Sequence, residues 1–203
     1  MRLLITALAF FLSFSVFGQR NVTDTVTIKL NNYTVVYSQK YLQPLEVWYK
    51  VKCPYNVKRS DDCSCDFTLA ISDSLGINTS KDKHYEGNSW NKGHMASKET
   101  FDCSCDDVEE TLTYLNCAIQ DSSLNRDIWY KLEIRERSLA EKQEVFVHIK
   151  VAFNDTLTID GATIPSGFFK TLIVDGNSES YYFPNTIPEE CKKLKGYKII
   201  DIN

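Results

Sequence analysis

The chain has 203 residues, which is about the length of one domain and enough to bury a single sizeable core. Its composition, 43% apolar and 25% charged, is typical of a globular protein and disfavours an intrinsically disordered chain. A net charge of −4 disfavours a protein that holds nucleic acid through a broad basic surface, but it allows an enzyme that grips one phosphate with a metal ion and a few cations.

The first residues have the pattern of a secretory signal peptide. Arg2 precedes an apolar run over residues 3–17, and Gly18 and Gln19 follow that run. The run is short for a membrane span, and no later segment approaches the roughly 20 apolar residues that a span needs. We therefore expect a signal peptide over residues 1–18 and a secreted or periplasmic protein without stable membrane association after cleavage. An uncleaved N-terminal anchor is the alternative.

The remaining chain, residues 19–203, is predicted to form one domain in which short strands predominate. Alternating apolar residues and β-branched or aromatic clusters predict strands at residues 26–30, 33–37, 47–51, 112–115, 145–153, 168–174 and 181–183. Asn31-Asn32 and Asp175-Gly176-Asn177 are predicted turns. Residues 54–66 are polar and rich in cysteine, and they are predicted to form a loop.

The principal helix is predicted to begin near Ser123, a residue suited to cap it. Apolar residues then recur at helical spacing without an intervening Pro: Ile128, Trp129, Leu132 and Leu139. On a regular α-helix Asn125 and Glu133 lie about 80° apart. Arg137 follows Glu133 by one turn, so all three can border one cleft. Many strands around one principal helix predict an α+β fold with a mixed, mostly antiparallel sheet.

Two segments carry the most specific pattern in the chain. The first is Asn91-Lys92-Gly93-His94-Met95-Ala96-Ser97, and the second runs from Asn116-Cys117-Ala118-Ile119-Gln120 through Leu124-Asn125 to Trp129-Tyr130-Lys131-Leu132-Glu133. Together they resemble the DNA/RNA non-specific endonucleases of the ββα-metal, or His-metal finger, class. That family reads Asp-Arg-Gly-His-x-Ala-Pro, then Asn-x-x-x-Gln, Leu-Asn and Trp-x-x-Leu-Glu. The resemblance is close over residues 91–137 and looser from about 47 to 184, and it implies a ββα-metal finger helix.

The resemblance implies chemical roles for three residues. His94 would be the general base that deprotonates water, since neutral imidazole titrates near working pH. Asn125 would be the one direct protein ligand of a mostly hydrated Mg²⁺, with Mn²⁺ as an alternative ion. Glu133 would hold water of the hydration shell of that cation.

The resemblance also implies residues that contact the substrate or shape the site. Arg137 would bind phosphate, and Lys92 stands where the family has an arginine. Arg59 lies near the place of a family phosphate-binding arginine, with a solvated loop residue as the equal alternative. Asn116 and Gln120 match positions that shape the site, and we expect Asn116 in the catalytic set and Gln120 beside the substrate.

Three motif positions depart from the family pattern. Asn91 replaces Asp, Lys92 replaces Arg, and Ser97 replaces Pro. Lys92 keeps the positive charge but lacks the planar donor fork of arginine. Losing the carboxylate at position 91 should slightly lower the pKa of His94. We expect Asn91→Asp to change the rate by less than about tenfold.

The seven cysteines all follow the predicted signal peptide. In an exported protein they favour disulfides, and the odd number leaves one thiol free or paired between chains. The Cys63-Ser64-Cys65 and Cys103-Ser104-Cys105 motifs leave a structural zinc site as the alternative, although zinc ligands are usually spaced two to four residues apart. Cys117 lacks a convincing paired base, so it is predicted to be buried or bridged.

Structural, core or surface roles are predicted for several other residues. His84 and His148 lack positioned partners in the sequence and are expected to be structural or surface residues. Trp129 and Leu132 are expected in the core.

The sequence therefore predicts a secreted, Mg²⁺-dependent endonuclease, a hydrolase that cleaves the phosphodiester bonds of DNA and RNA and leaves 5′-phosphate ends. A catalytically silent nucleic-acid-binding or toxin-like module on the same fold is the alternative.

Overall fold

The structure is a computed structural model, and its described residues are 24–58, 63, 66–154, 157–190 and 193–199. The predicted signal peptide over residues 1–18 lies outside these ranges, as do Arg59, Cys65 and Cys191.

Ten strands are present in the described residues. They are β1 (Thr25–Lys29), β2 (Tyr33–Ser38), β3 (Gln43–Lys50), β4 (Trp90–His94), β5 (Cys117–Asp121), β6 (Val145–Ala152), β7 (Thr158–Ile159), β8 (Ala162–Thr163), β9 (Gly167–Val174) and β10 (Asn177–Pro184). Six of them form one sheet in the order β1-β2-β3-β6-β9-β10, while β4 pairs with β5 and β7 with β8. Every pairing between named strands is antiparallel. The predicted α+β class and mostly antiparallel sheet are confirmed.

One face of the large sheet carries the core. In β6, Val147 and Ile149 are buried, whereas Phe146 before them and Lys150 after them are exposed. This two-residue alternation is the pattern that the sequence predicted for the strand. Burying each such side chain stabilises the fold by about 1.5–3 kcal/mol, an upper estimate because the unfolded chain already hides part of its surface.

The predicted strand at residues 112–115 is wrong. Tyr114–Asn116 forms a 3₁₀ turn, and the strand begins one residue later, at Cys117. The Thr113 hydroxyl accepts a hydrogen bond from the Leu115 N–H at 3.4 Å. Such local side-chain-to-backbone bonds favour turns over strand ladders, which moves the strand toward the C-terminus.

Three segments form one continuous helix, called the site helix (residues 122–139). They are α3 (Ser122–Leu124), a π-helical turn (Asn125–Trp129) and α4 (Tyr130–Leu139). The predicted cap at Ser123 is wrong: the Asp121 carboxylate accepts from the N–H groups of Ser123 (2.9 Å) and Leu124 (3.0 Å). Because β4, β5 and the site helix follow one another around the motif, the expected ββα element is present.

The site helix packs on the core face of the large sheet through a buried tryptophan. The Trp129 ring lies 5.5 Å from that of Phe168 and 5.6 Å from that of Phe183, both edge-on. Trp129 and Leu132 are fully buried, which confirms their predicted place in the core.

The remaining helices are short. They are α1 (Ala70–Ser74), α2 (Cys105–Thr111) and 3₁₀ turns at Asp82–His84, Lys98–Thr100 and Leu194–Tyr197. Disulfides join Cys53 to Cys103 and Cys63 to Cys105, which confirms the preference for disulfides over zinc at these four cysteines. None of the helices in the described ranges is long and apolar enough to cross a membrane.

Candidate active site

A polar pocket lies between the end of β4 and the site helix, with a volume of about 410 Å³. It is lined by His94, Ser97, Glu99, Asn125, Arg126, Tyr130 and Glu133. The predicted base His94, the predicted metal ligand Asn125 and the predicted water-holding Glu133 therefore border one cavity. Sequence reasoning gave no role in the site to four lining residues: Ser97, Glu99, Arg126 and Tyr130.

The π-helical turn aligns two of the predicted site residues. It accommodates one more residue than an α-helical turn, so the interval from Asn125 to Glu133 spans the angle of about seven α-helical residues. Their separation falls from about 80° on a regular helix to about 20°. The extra residue therefore brings Asn125 and Glu133 to the same side of the helix.

His94 ends β4 and forms one wall of the pocket. Its ring lies 5.0 Å from the Phe67 ring, and its Nε2 atom is enclosed without a hydrogen-bond partner among the described residues. Burial lowers the pKa of His94 to about 4, with Glu99 acting in the opposite direction and Lys98 in the same direction. The imidazole is therefore neutral at neutral pH and can accept a proton.

Glu133 is a buried carboxyl group in the same pocket, 7% exposed. Burial raises its pKa to about 8; Lys170 lowers it, while Glu136 and Glu99 raise it. The fully buried Lys170 Nζ lies 3.0 Å from Glu136 Oε2. The two charges of this buried pair act on Glu133 in opposite directions.

Asn116 holds the backbone of the segment that follows His94. Its Oδ1 accepts from the Ala96 N–H at 2.8 Å, and its Nδ2 donates to the carbonyls of Ala96 (2.8 Å) and Thr111 (3.0 Å). The side chain is fully buried, does not line the pocket and has both amide donors engaged. Asn116 is therefore placed as a positioning residue.

Gln120 belongs to β5, and its buried side chain packs against Gly93 of β4. A Cβ atom at position 93 would lie 2.3 Å from Gln120 Oε1, so Gly93 is required for this close approach. Gln120 is fully buried and does not border the pocket, so its predicted contact with substrate is absent from this arrangement.

Side-chain amides, rather than another strand, hold the second edge of β5. The Ile119 N–H donates to Gln43 Oε1 at 2.9 Å, and Asn185 Nδ2 donates to the Ile119 carbonyl at 3.0 Å. Asn185 Oδ1 also accepts from the Asp121 N–H at 2.8 Å. Because Gln43 belongs to β3 and Asn185 follows β10, these bonds fix the hairpin against the large sheet.

Two predicted phosphate contacts lie outside the pocket. Lys92 pairs with Asp82, and its ammonium lies 5.0 Å from the Phe67 ring centre. Arg137 is fully buried, where its Nε donates to the Glu133 carbonyl at 3.3 Å and its guanidinium lies 5.4 Å from the Tyr55 ring. Neither side chain lines the pocket.

The residues that were predicted to be structural or to lie at the surface have environments that fit those roles. Burial raises the pKa of Cys117 to about 12, and its thiol donates to the Tyr85 hydroxyl at 3.3 Å, so it stays protonated and structural. His84 is buried and its Nδ1 accepts from the Lys81 N–H at 2.8 Å. His148 pairs with Glu46 at 2.9 Å.

Comparison with known proteins identifies the family to which this site belongs. A family model of DNA/RNA non-specific endonucleases matches residues 15–200. The chain belongs to this family.

Relatives of this chain include mitochondrial Endonuclease G. The bovine protein (Bos taurus) is 28% identical over 67% of the chain and 52% of its own length. The human protein (Homo sapiens) is 27% identical over 68% of the chain and 53% of its own length. The chain thus spans about half the length of the curated relatives it matches. A crystal structure of an EndoG/EndoGI complex matches the fold with a TM-score of 0.73 at 22% identity, over 86% of this chain and 80% of that chain.

The oxygen-rich pocket suits a hard divalent cation. Asn125 offers an amide oxygen, and Glu99 and Glu133 offer carboxylates. The raised pKa of Glu133 shows that charging this carboxylate is costly by itself. A cation would offset that cost. Mg²⁺ commonly retains several waters and needs few direct protein ligands, and the oxygens that line this pocket suit such an ion.

Proposed function

We propose that the protein is a metal-assisted endonuclease that hydrolyses phosphodiester bonds in both DNA and RNA. The observation that carries this proposal is that His94, Asn125 and Glu133 border one pocket in a chain of the endonuclease family. Each residue type matches a need of the reaction: a neutral base, an oxygen ligand for a hard cation and a nearby negative charge.

His94 acts as the general base. Its imidazole is neutral above about pH 4, so it can take a proton from a water molecule in the pocket. The water oxygen forms a bond to phosphorus while the bond from phosphorus to O3′ breaks. The products are a 5′-phosphate and a 3′-hydroxyl, and the departing oxygen gains its proton from solvent.

Asn125 is the proposed direct protein ligand of Mg²⁺, with Mn²⁺ as a substitute. When bound, the ion draws negative charge from the phosphoryl oxygens. Glu133 supplies a carboxylate on the same side of the site helix, where it can hold and orient water by accepting hydrogen bonds. Asn116 keeps the His94 segment in place through its three buried bonds.

We also propose that the protein is exported. The two disulfides support an oxidising compartment such as the bacterial periplasm or the extracellular space, because cytosolic thiols are kept reduced. The sequence pattern of a signal peptide at residues 1–18 supports the same proposal.

Incubation of the purified protein with plasmid DNA and with RNA, with and without EDTA, tests the activity. We expect degradation of both nucleic acids with Mg²⁺ and none with EDTA. Asn125→Ala should lose activity and regain part of it at higher Mg²⁺, whereas the exposed control Asn177→Ala should remain active. Nucleic acid that stays intact with both Mg²⁺ and Mn²⁺ would refute the enzyme and leave the silent module.

A further inference from the structure

The active-site pocket contains one cationic side chain that the motif does not supply. Among the described residues that line the pocket, Arg126 alone carries a positive charge at neutral pH. Lys92 is paired with Asp82, and Arg137 is buried against Tyr55. Of the cations expected from the family pattern, the two that the structure describes, Lys92 and Arg137, do not line the pocket, whereas the exposed Arg126 does.

Arg126 is held by a neutral partner. Its Nη2 donates to the Asn91 side-chain oxygen at 3.5 Å, a long bond at an exposed position. No described carboxylate forms an ion pair with Arg126, because the adjacent Asp127 pairs with Lys131 instead. The guanidinium thus has no carboxylate counter-ion among the described residues, and the long bond to an amide orients it.

The chemistry of this arrangement fits a phosphate. A guanidinium presents planar, parallel donors that match two phosphate oxygens, and it stays charged at every working pH. Breaking a long, exposed amide bond costs little, so Arg126 can exchange Asn91 for a phosphate oxygen. A carboxylate at position 91 would hold the same guanidinium as an ion pair and compete with the substrate.

We propose that Arg126 binds a substrate phosphate at the active site and that Asn91 is a positioning residue whose neutral amide leaves that arginine free. This inference rests on the proposed function, since it names a contact for the nucleic-acid substrate. It also gives a physical role to Asn91, one of the positions where the chain departs from the family pattern.

The test compares variants on a short single-stranded oligonucleotide, by cleavage kinetics with Mg²⁺ and by fluorescence anisotropy in EDTA. Arg126→Ala should raise KM and the EDTA-measured Kd about tenfold while changing kcat less than about threefold, and Arg126→Lys should recover part of the loss. The slope of log Kd against log salt concentration should decrease by about one, which is the change expected when one phosphate contact is lost. Arg135→Ala is the matched control, because Arg135 lies on the same helix, outside this pocket, and pairs with Glu179.

A double-mutant cycle isolates the contribution of Asn91. Asn91→Asp should raise KM about fivefold in the native chain, within the less than tenfold change expected from the sequence, and leave KM nearly unchanged in the Arg126→Ala background. An equal effect in both backgrounds would overturn the inference, because the new charge would then act elsewhere, for example on His94. The inference would also be overturned if Arg126→Ala left KM and the salt slope unchanged. Failure of the proposed function is distinct, because it would appear in the native protein as absence of cleavage.

Discussion

Asn116 offers the sharpest test of how the active site is held together. Its side chain makes three buried hydrogen bonds, two to Ala96 and one to Thr111, and it has no exposed surface. Asn116→Ala leaves one N–H and two carbonyls without partners, and each unmade buried bond costs about 1–3 kcal/mol. Partial relaxation of the loop and entry of water would reduce that sum. We expect unfolding free energy to fall by about 3–5 kcal/mol.

The measurement is urea denaturation of the purified variants, read as unfolding free energies at an unchanged m-value. Asn116→Asp should also be strongly destabilised, because it retains the acceptor for the Ala96 N–H but lacks both donors. The control Asn177→Ala removes one exposed bond of 3.4 Å and should cost less than about 0.5 kcal/mol. If Asn116→Ala costs less than about 1 kcal/mol, the three bonds do not hold the loop, and the positioning role is refuted.

Three further predictions follow from the same structure. His94→Ala should lower the rate by about 10²–10⁴ with an unchanged unfolding curve; more than half of the native activity would contradict the base assignment. Burial alone would raise the pKa of Glu179, but hydrogen bonds from Arg135, Lys198 and Tyr181 lower it to about 2. Its ionised form therefore adds stability above its unfolded pKa, near 4.5, and that stability is lost as pH falls toward 2. Denaturation of Glu179→Gln between these limits should show a weaker pH dependence than the native chain, and an unchanged dependence would contradict this account. Replacing both Cys53 and Cys103 by Ser opens a cross-link that spans 50 residues and should cost about 2–4 kcal/mol of unfolding free energy, and non-reducing mass mapping should find that bridge in the native chain.

The sequence predicted elements whose periodicity is strong and missed features that depend on tertiary contacts. Residues 145–153 alternate cleanly because one face of β6 is buried, so that strand was predictable to within one residue. The strand at 112–115 was misplaced because apolar residues there pack in a 3₁₀ turn, which has no distinct hydrophobic period. Similarly, Asp121 rather than Ser123 caps the site helix, because the strand before it ends at the capping residue.

In the candidate site too, the sequence motif predicted some features, whereas others depend on tertiary contacts. The motif predicted that His94, Asn125 and Glu133 would meet, and they do. Spacing alone placed Arg137 one turn from Glu133, yet it could not reveal that the neighbouring Tyr55 covers the guanidinium. Glu99 was missed because the 3₁₀ turn Lys98–Thr100, and not any motif, brings it to the pocket.

The π-helical turn also determines where the protein can tolerate a change in length. Because it contains one residue more than the helix requires, deletion of the exposed Asp127 can convert it to regular α-helix while the residues on either side keep their faces. Deletion of one residue within α4 cannot be absorbed in this way, because α4 contains no extra residue. It would rotate the following residues of the helix by about 100° relative to the core. The separation between Asn125 and Glu133 can therefore vary by one residue at the π-helical turn while both side chains stay on the same side of the helix. A search for related sites that allows the Glu to follow the Asn by seven as well as by eight positions would find chains that a fixed-spacing pattern excludes.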